Sequence, residues 1–179
     1  VKGVYASVFF ADSKAYMVAT SNVIDQEKMA VIIQEAVGVQ HGDYFYPSLS
    51  GVGRSLNYYP VGDELPADGI AEVAVGVGKY IVDGGMSLRF SPRHPAHVLQ
   101  TSTLDLALRD TQRYFYALST TAGEGEFSID EGFDIARLNV DDAGKQGFLK
   151  YLVSTYDYQN ERIVDSDEGG GRKVVTFAN

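Results

Sequence analysis

The run Met29–Val37 (MAVIIQEAV) constrains this chain more than any other stretch. Only Gln34 and Glu35 interrupt a series of apolar and β-branched residues, and Gly38 ends it. Such a run predicts a strand, and its near-continuous hydrophobicity predicts burial on both faces. The rest of the chain has the means to bury it, because 45% of the residues are apolar. Punctuation by 19 glycines and 5 prolines cuts the sequence into short elements.

The pattern before and after that run is mixed. Residues 1–20 read as helical, with Val4, Val8 and Phe9 marking one apolar face and Gly3 weakening the first turn. Asp25 to Lys28 is a polar turn. Asp43 to Tyr46 is expected to pair beside the Met29–Val37 strand, and Arg54 to Tyr59 to form another that stops at Pro60. Ile70 to Val77 alternates as a strand. Lys79 to Val82 reads as a short helix between Gly78 and Gly84-Gly85, and Met86 to Phe90 returns as a strand. Thr103 and Asp105 are suited to cap an amphipathic helix over Leu104–Leu118, with Leu104, Leu108, Tyr114, Phe115 and Leu118 as core contacts. From Thr120 the composition turns Gly-, Glu- and Ser-rich. Strands are then expected at Asp134–Val140, Phe148–Thr155 and Lys173–Phe177, with an acidic turn over Asp157–Gly171.

Composition excludes several functions. The formal net charge is −9, and acidic residues outnumber basic ones in both halves. That balance is wrong for a nucleic-acid backbone. No Cys is present, which removes disulfides, thiolate metal sites and thiol nucleophiles. No apolar run is long enough to span a bilayer and no signal peptide is visible, so no membrane partner is expected and the cytoplasm is the default location. A start at Val1, directly in a helix-like pattern, fits a piece excised from a longer protein; a processed terminus looks the same.

Several residues carry candidate chemistry. Gly76-Val77-Gly78 allows close backbone approach at a strand-to-helix turn, where exposed N–H groups can meet phosphate oxygens; glycines at such a turn also serve simply to solve a backbone problem. Lys79 follows directly, as a point charge for phosphate or as an exposed helix residue. Arg89, Arg93 and Arg54 are candidates for gripping phosphate through paired hydrogen bonds, or else surface charges. Asp83 is a metal-ligand candidate, or a turn former before Gly-Gly. His41, His94 and His97 have no metal-ligand spacing. The acidic stretch Asp165–Glu168 lacks the twelve-residue ligand pattern of a calcium-binding hand.

In order and spacing, YASVF (Tyr5–Phe9), AVIIQEAVG (Ala30–Gly38), SGVGRS (Ser50–Ser55) and GVGKYIVDGG (Gly76–Gly85) running into SLRFSP resemble the ATP-binding domain of phosphoenolpyruvate synthase and pyruvate phosphate dikinase. That family shows a W-A-S-L-F helix, a V-x-V-Q-x-M-V strand, an S-G-V-x-F turn and a G-L-G-E-x-V-V-x-G segment. The resemblance covers roughly residues 1–120. It implies an α+β fold like the C-terminal subdomain of an ATP-grasp clamp, mainly antiparallel sheet with flanking helices, with residues 121–179 as an extension packed on it. It implies ATP and Mg²⁺ as cofactors, and other domains of the same polypeptide as partners: an N-terminal ATP-grasp half, a phosphohistidine carrier domain and a pyruvate-binding domain. Gln34, Glu35 and Val37 fall on the adenine hinge, where backbone groups offer one donor and one acceptor; otherwise they belong to a plain core strand. Gly76 and Gly78 fall at the phosphates, with Lys79 and Arg89 as catalytic candidates and Arg54 as a second basic contact. Lys79 departs from the family, which places Glu there. An ammonium cannot ligate a hard divalent cation, so a nucleotide-sensing or structural module is the rival to a phosphotransferase part.

Overall fold

A computed structural model describes residues 1–20, 28–121, 135–143 and 149–178. The chain divides into two compact units, Val1–Ala36 and Val37–Asn179.

The first unit contains helices α1 (Lys2–Ser7) and α2 (Ala11–Thr20). Asp12 lies in the first turn of α2, where a negative charge complements the helix dipole. The Ser13 hydroxyl donates to the Ser7 carbonyl (2.7 Å) and ties the two helices at their junction. Met17 is buried, whereas Tyr5, Phe9, Tyr16 and Val18 are exposed. The helical reading of residues 1–20 therefore holds, with a break between the two helices. The polar turn expected at Asp25–Lys28 lies outside the described residues, apart from Lys28.

The strand expected at Met29–Val37 does not form. This segment has no regular secondary structure, and Ile32, Ile33 and Val37 are 84%, 82% and 81% exposed. A strand exists only when its N–H and C=O groups pair with a neighbour. β-branched composition favours that state without supplying the partner.

The second unit is an antiparallel α+β assembly of three sheets. Strands β1 (Val39–His41) and β2 (Tyr44–Tyr46) form a hairpin, in the register Val39↔Tyr46. β2 pairs with β6 (Tyr114–Ser119), which pairs with β7 (Ile135–Asn139). A second sheet has the order β3 (Ser50–Arg54), β4 (Ile70–Ala74) and β5 (Leu88–Phe90). A third joins β10 (Lys173–Val175), β8 (Val153–Asp157) and β9 (Arg162–Val164). Helices α3 (Lys79–Val82), α4 (Leu104–Asp110) and α5 (Val140–Ala143) lie between strands in the chain. Among the described residues no helix is long and apolar enough to cross a membrane.

Two sequence expectations shift here. The strand placed at Arg54–Tyr59 lies earlier, at Ser50–Arg54. The helix placed over Leu104–Leu118 stops at Asp110. Thr103 does cap that helix, its Oγ1 accepting from the Leu106 N–H (3.3 Å). Beyond Asp110 the period changes from 3.6 to 2: Phe115 and Ala117 are fully buried, while Tyr114 and Tyr116 alternate with them on the other face. Arg113 and Arg172 both donate to the Leu108 carbonyl near the end of α4, satisfying a group that a helix terminus leaves orphaned.

The first and third sheets, α5 and Val75 just past β4 converge on one core. Tyr46, Val75, Phe115, Ala117, Val140, Val153 and Val175 form it, each at most 2% exposed. The rings of Tyr46 and Phe115 lie 4.9 Å apart and tilted. Gln112, itself only 2% exposed, joins the second sheet to the first. The Val75 N–H donates to Gln112 Oε1 (2.8 Å), and Gln112 Nε2 donates to the carbonyls of Val75 and Tyr114 (both 2.9 Å).

Two predictions follow from the core. Replacing Gln112 with Leu strands two buried backbone groups of Val75 and the part-buried Tyr114 carbonyl, so the Gln112→Leu variant should lose about 2–4 kcal/mol in urea unfolding. Burial pushes the Tyr46 phenol up to about 12. Its folded-state pKa thus lies above the unfolded value of about 10, and neutral Tyr46 stabilises the fold fully below pH 10. That contribution is lost as pH rises from 10 to 12, at about 1.4 kcal/mol per unit. Denaturation curves between pH 9 and 11.5 should show the loss, and Tyr46→Phe should flatten it.

Candidate functional site

The turn leaving β4 is built by backbone constraint. Val75 is fixed by Gln112, and Gly76 follows with φ +87°, in the left-handed region. A Cβ there would lie 2.5 Å from the Tyr116 carbonyl oxygen. The Val77 N–H donates to that same carbonyl (2.8 Å), so the turn is stitched onto β6. Gly78 then opens α3, its carbonyl accepting from the N–H groups of Ile81 and Val82. Gly78 has an ordinary helical φ of −63°, and a Cβ built on it meets nothing within 4 Å. The two glycines thus differ in kind: Gly76 solves a backbone problem, and Gly78 has open space on one side of the turn.

Lys79 stands at the first position of α3. Its Nζ pairs with Asp83 Oδ2 (2.8 Å) and lies 5.6 Å from the centre of the Tyr116 ring. The side chain is 24% exposed and that of Asp83 56%. The pair joins residues one helical turn apart, with Lys79 half-buried and Asp83 exposed.

Arg89 is in β5, opposite Glu72 in the register. Its Nη2 donates to Asn57 Oδ1 and to the Tyr59 carbonyl (both 3.0 Å). Asn57 is fully buried and organises the loop after β3: it donates to Glu64 Oε2 (3.0 Å) and accepts from the Tyr59 N–H (3.0 Å). Arg89 also lines a groove of about 710 Å³ whose walls include Ile70, Phe90, His97, Leu106 and Asp110 but not Gly76, Gly78 or Lys79.

The other candidates are dispersed. Arg54 is exposed on β3, opposite Ile70. Arg93 and His94 each approach the carboxylate of Asp68 at 3.7 Å. Gln34 and Glu35 are exposed in the first unit, and Val37 is exposed as the first residue of the second. Among the described residues no three His, Cys, Asp or Glu side chains gather to hold a metal. Lys79 stands where the resemblance places Glu, and an ammonium cannot itself ligate a divalent cation.

Two features went unnoticed in the sequence, one of them near the turn. Tyr80 and Tyr116 have ring centres 5.7 Å apart, and the guanidinium of Arg137 lies 4.1 Å from the centre of the Tyr114 ring. Burial raises the Tyr80 phenol pKa, with the charge of Arg137 opposing. The other is the Asn57 hub, which had a local signal: Asn two residues before an aromatic and Pro60 is a turn in which the side chain receives a backbone N–H.

Antiparallel sheets with flanking helices, and a glycine turn followed by a cation, describe an α+β domain of the ATP-grasp kind. The family model for the AMP/ATP-binding domain of pyruvate phosphate dikinase matches residues 1–126, and the chain belongs to that family. No curated protein and no solved structure matches it.

The contrast between the glycines is testable. Gly76→Ala should cost about 3 kcal/mol in chemical denaturation, from a strained φ and a clash with the Tyr116 carbonyl. Gly78→Ala should stay within about 1 kcal/mol of the parent.

Proposed function

We propose that this protein is the ATP-binding part of a phosphotransferase resembling phosphoenolpyruvate synthase and pyruvate phosphate dikinase. In that reaction ATP phosphorylates a carrier histidine, and the phosphoryl group then passes to pyruvate to give phosphoenolpyruvate. One observation carries the reading: the family match over residues 1–126 takes in both Gln34–Val37 and the Gly76–Lys79 turn.

The roles follow from chemistry. Backbone groups of Gln34, Glu35 and Val37 receive adenine. Gly76 shapes the phosphate turn, and Gly78 admits an oxygen to it. Lys79 exchanges Asp83 for phosphate as a point charge. Arg54 is a second basic contact. Arg89 has one nitrogen committed to Asn57 and Tyr59, and its remaining N–H groups are those it turns to phosphate. Residues 1–120 are the nucleotide-binding part and 121–179 the extension packed on it. The remaining domains of the enzyme supply the carrier histidine and the pyruvate site, in the cytoplasm. Electrostatic clamping dominates phosphoryl transfer, so this part by itself binds nucleotide without turning it over.

A second reading has its own support. Lys79 at the position of a family Glu, already paired with Asp83, suits a module that senses nucleotide without transferring phosphate.

Calorimetric titration with ATP tests the assignment. The parent should bind ATP, Gly78→Val should abolish binding with an unchanged melting curve, and Lys79→Ala should weaken it about fivefold or more. Equal affinity in parent and Gly78→Val would sink the phosphate turn. Labelled γ-phosphate appearing on histidine in the intact polypeptide separates a phosphotransferase from a sensor.

A further inference from the structure

β7 lies beyond the residues that the family model matches, yet it contributes to the face next to the Gly78 turn. Arg137 stands directly opposite Tyr116 in the β6–β7 register, so their side chains share one face of the sheet. Tyr114, two residues before Tyr116, shares that face. Lys79 approaches Tyr116 from α3, with its ammonium 5.6 Å from the ring centre. Tyr80 packs on the same ring. Lys79 and Arg137 therefore flank Tyr116, and Tyr80 and Tyr114 complete a small tyrosine platform.

The charges on this face are unequal. Asp83 pairs with Lys79. Among the described residues no carboxylate pairs with Arg137, which is exposed with its guanidinium over the Tyr114 ring. A guanidinium has five N–H donors, so contact with a ring face leaves donors for a second partner. A planar fork of donors, an ammonium and phenol hydroxyls that can donate together suit a multivalent oxyanion.

We infer that Arg137 is a nucleotide-binding residue, gripping the polyphosphate tail together with Lys79 across the Tyr114–Tyr116 platform. This rests on the nucleotide-binding reading above and adds to it a residue from the extension. Arg137 takes up the phosphate charge that a divalent cation would otherwise neutralise, at a site whose neighbouring Glu has become Lys79. The platform takes polyphosphate whether or not a base is attached.

The test titrates ATP, inorganic tripolyphosphate and adenosine separately into the parent, Arg137→Gln and Arg137→Lys, with thermal melts of each. Arg137→Gln should weaken ATP and tripolyphosphate by about tenfold or more, leave adenosine unchanged and melt like the parent. Arg137→Lys should recover part of the loss. If the parent binds ATP and Arg137→Gln binds it within about twofold as well, the inference is overturned while the nucleotide-binding reading stands. If tripolyphosphate binds in an Arg137-dependent way but the adenosine part adds nothing, the polyphosphate platform is upheld and the adenine assignment fails. If the parent binds neither ATP nor tripolyphosphate, both are wrong.

Discussion

The carboxamide of Gln112 acts as a piece of backbone. It accepts from the Val75 N–H and donates to the Val75 carbonyl, as a neighbouring strand would, and it also reaches the Tyr114 carbonyl. This bridge fixes where β4 ends relative to where β6 begins. Gly76 can then turn sharply against Tyr116, and α3 starts where it does, with Lys79 above the Tyr116 ring. Buried amide pairs of this kind are severe constraints, because each unpaired group inside a core costs its full desolvation. The position of the candidate phosphate turn therefore depends on a residue that touches no ligand.

Electrostatics separates this domain from the family pattern it otherwise follows. A carboxylate beside the phosphates works by recruiting a cation, whereas an ammonium works by being one. Lys79 pairs with Asp83, and the Arg137 guanidinium sits over the Tyr114 ring. Arg89, by contrast, is built into the loop organised by Asn57, so one of its donors already has structural duties.

What the sequence revealed depended on whether the decisive contact was local. Helix α3 was legible because Gly78 and the Gly84-Gly85 pair bracket it, and Thr103 was legible as a cap because its partner is three residues away. Ile70–Ala74 alternated and was found. The length of α4 was overestimated because its end is set by Gln112 turning toward Val75, 37 positions earlier in the chain. Arg137 was unremarkable in the sequence, since its meaning comes from the strand register that sets it opposite Tyr116. The Met29–Val37 run was misread for the complementary reason: its composition suits a strand, but composition cannot provide the other half of a ladder. The nucleotide family was legible from the order of short motifs, and the match over residues 1–126 agrees with it.

That uncovered run has a consequence for how molecules of this protein behave toward one another. Ala30 to Val37 has the composition of a segment prone to cross-β stacking: β-branched, free of proline and with a single charge, at Glu35. Ile32, Ile33 and Val37 face water. In concentrated solution the run is the natural seed for intermolecular zippers, and Glu35 is its one electrostatic gatekeeper. Neutralising that carboxylate, whether by substitution or by acid, removes the repulsion between stacked copies.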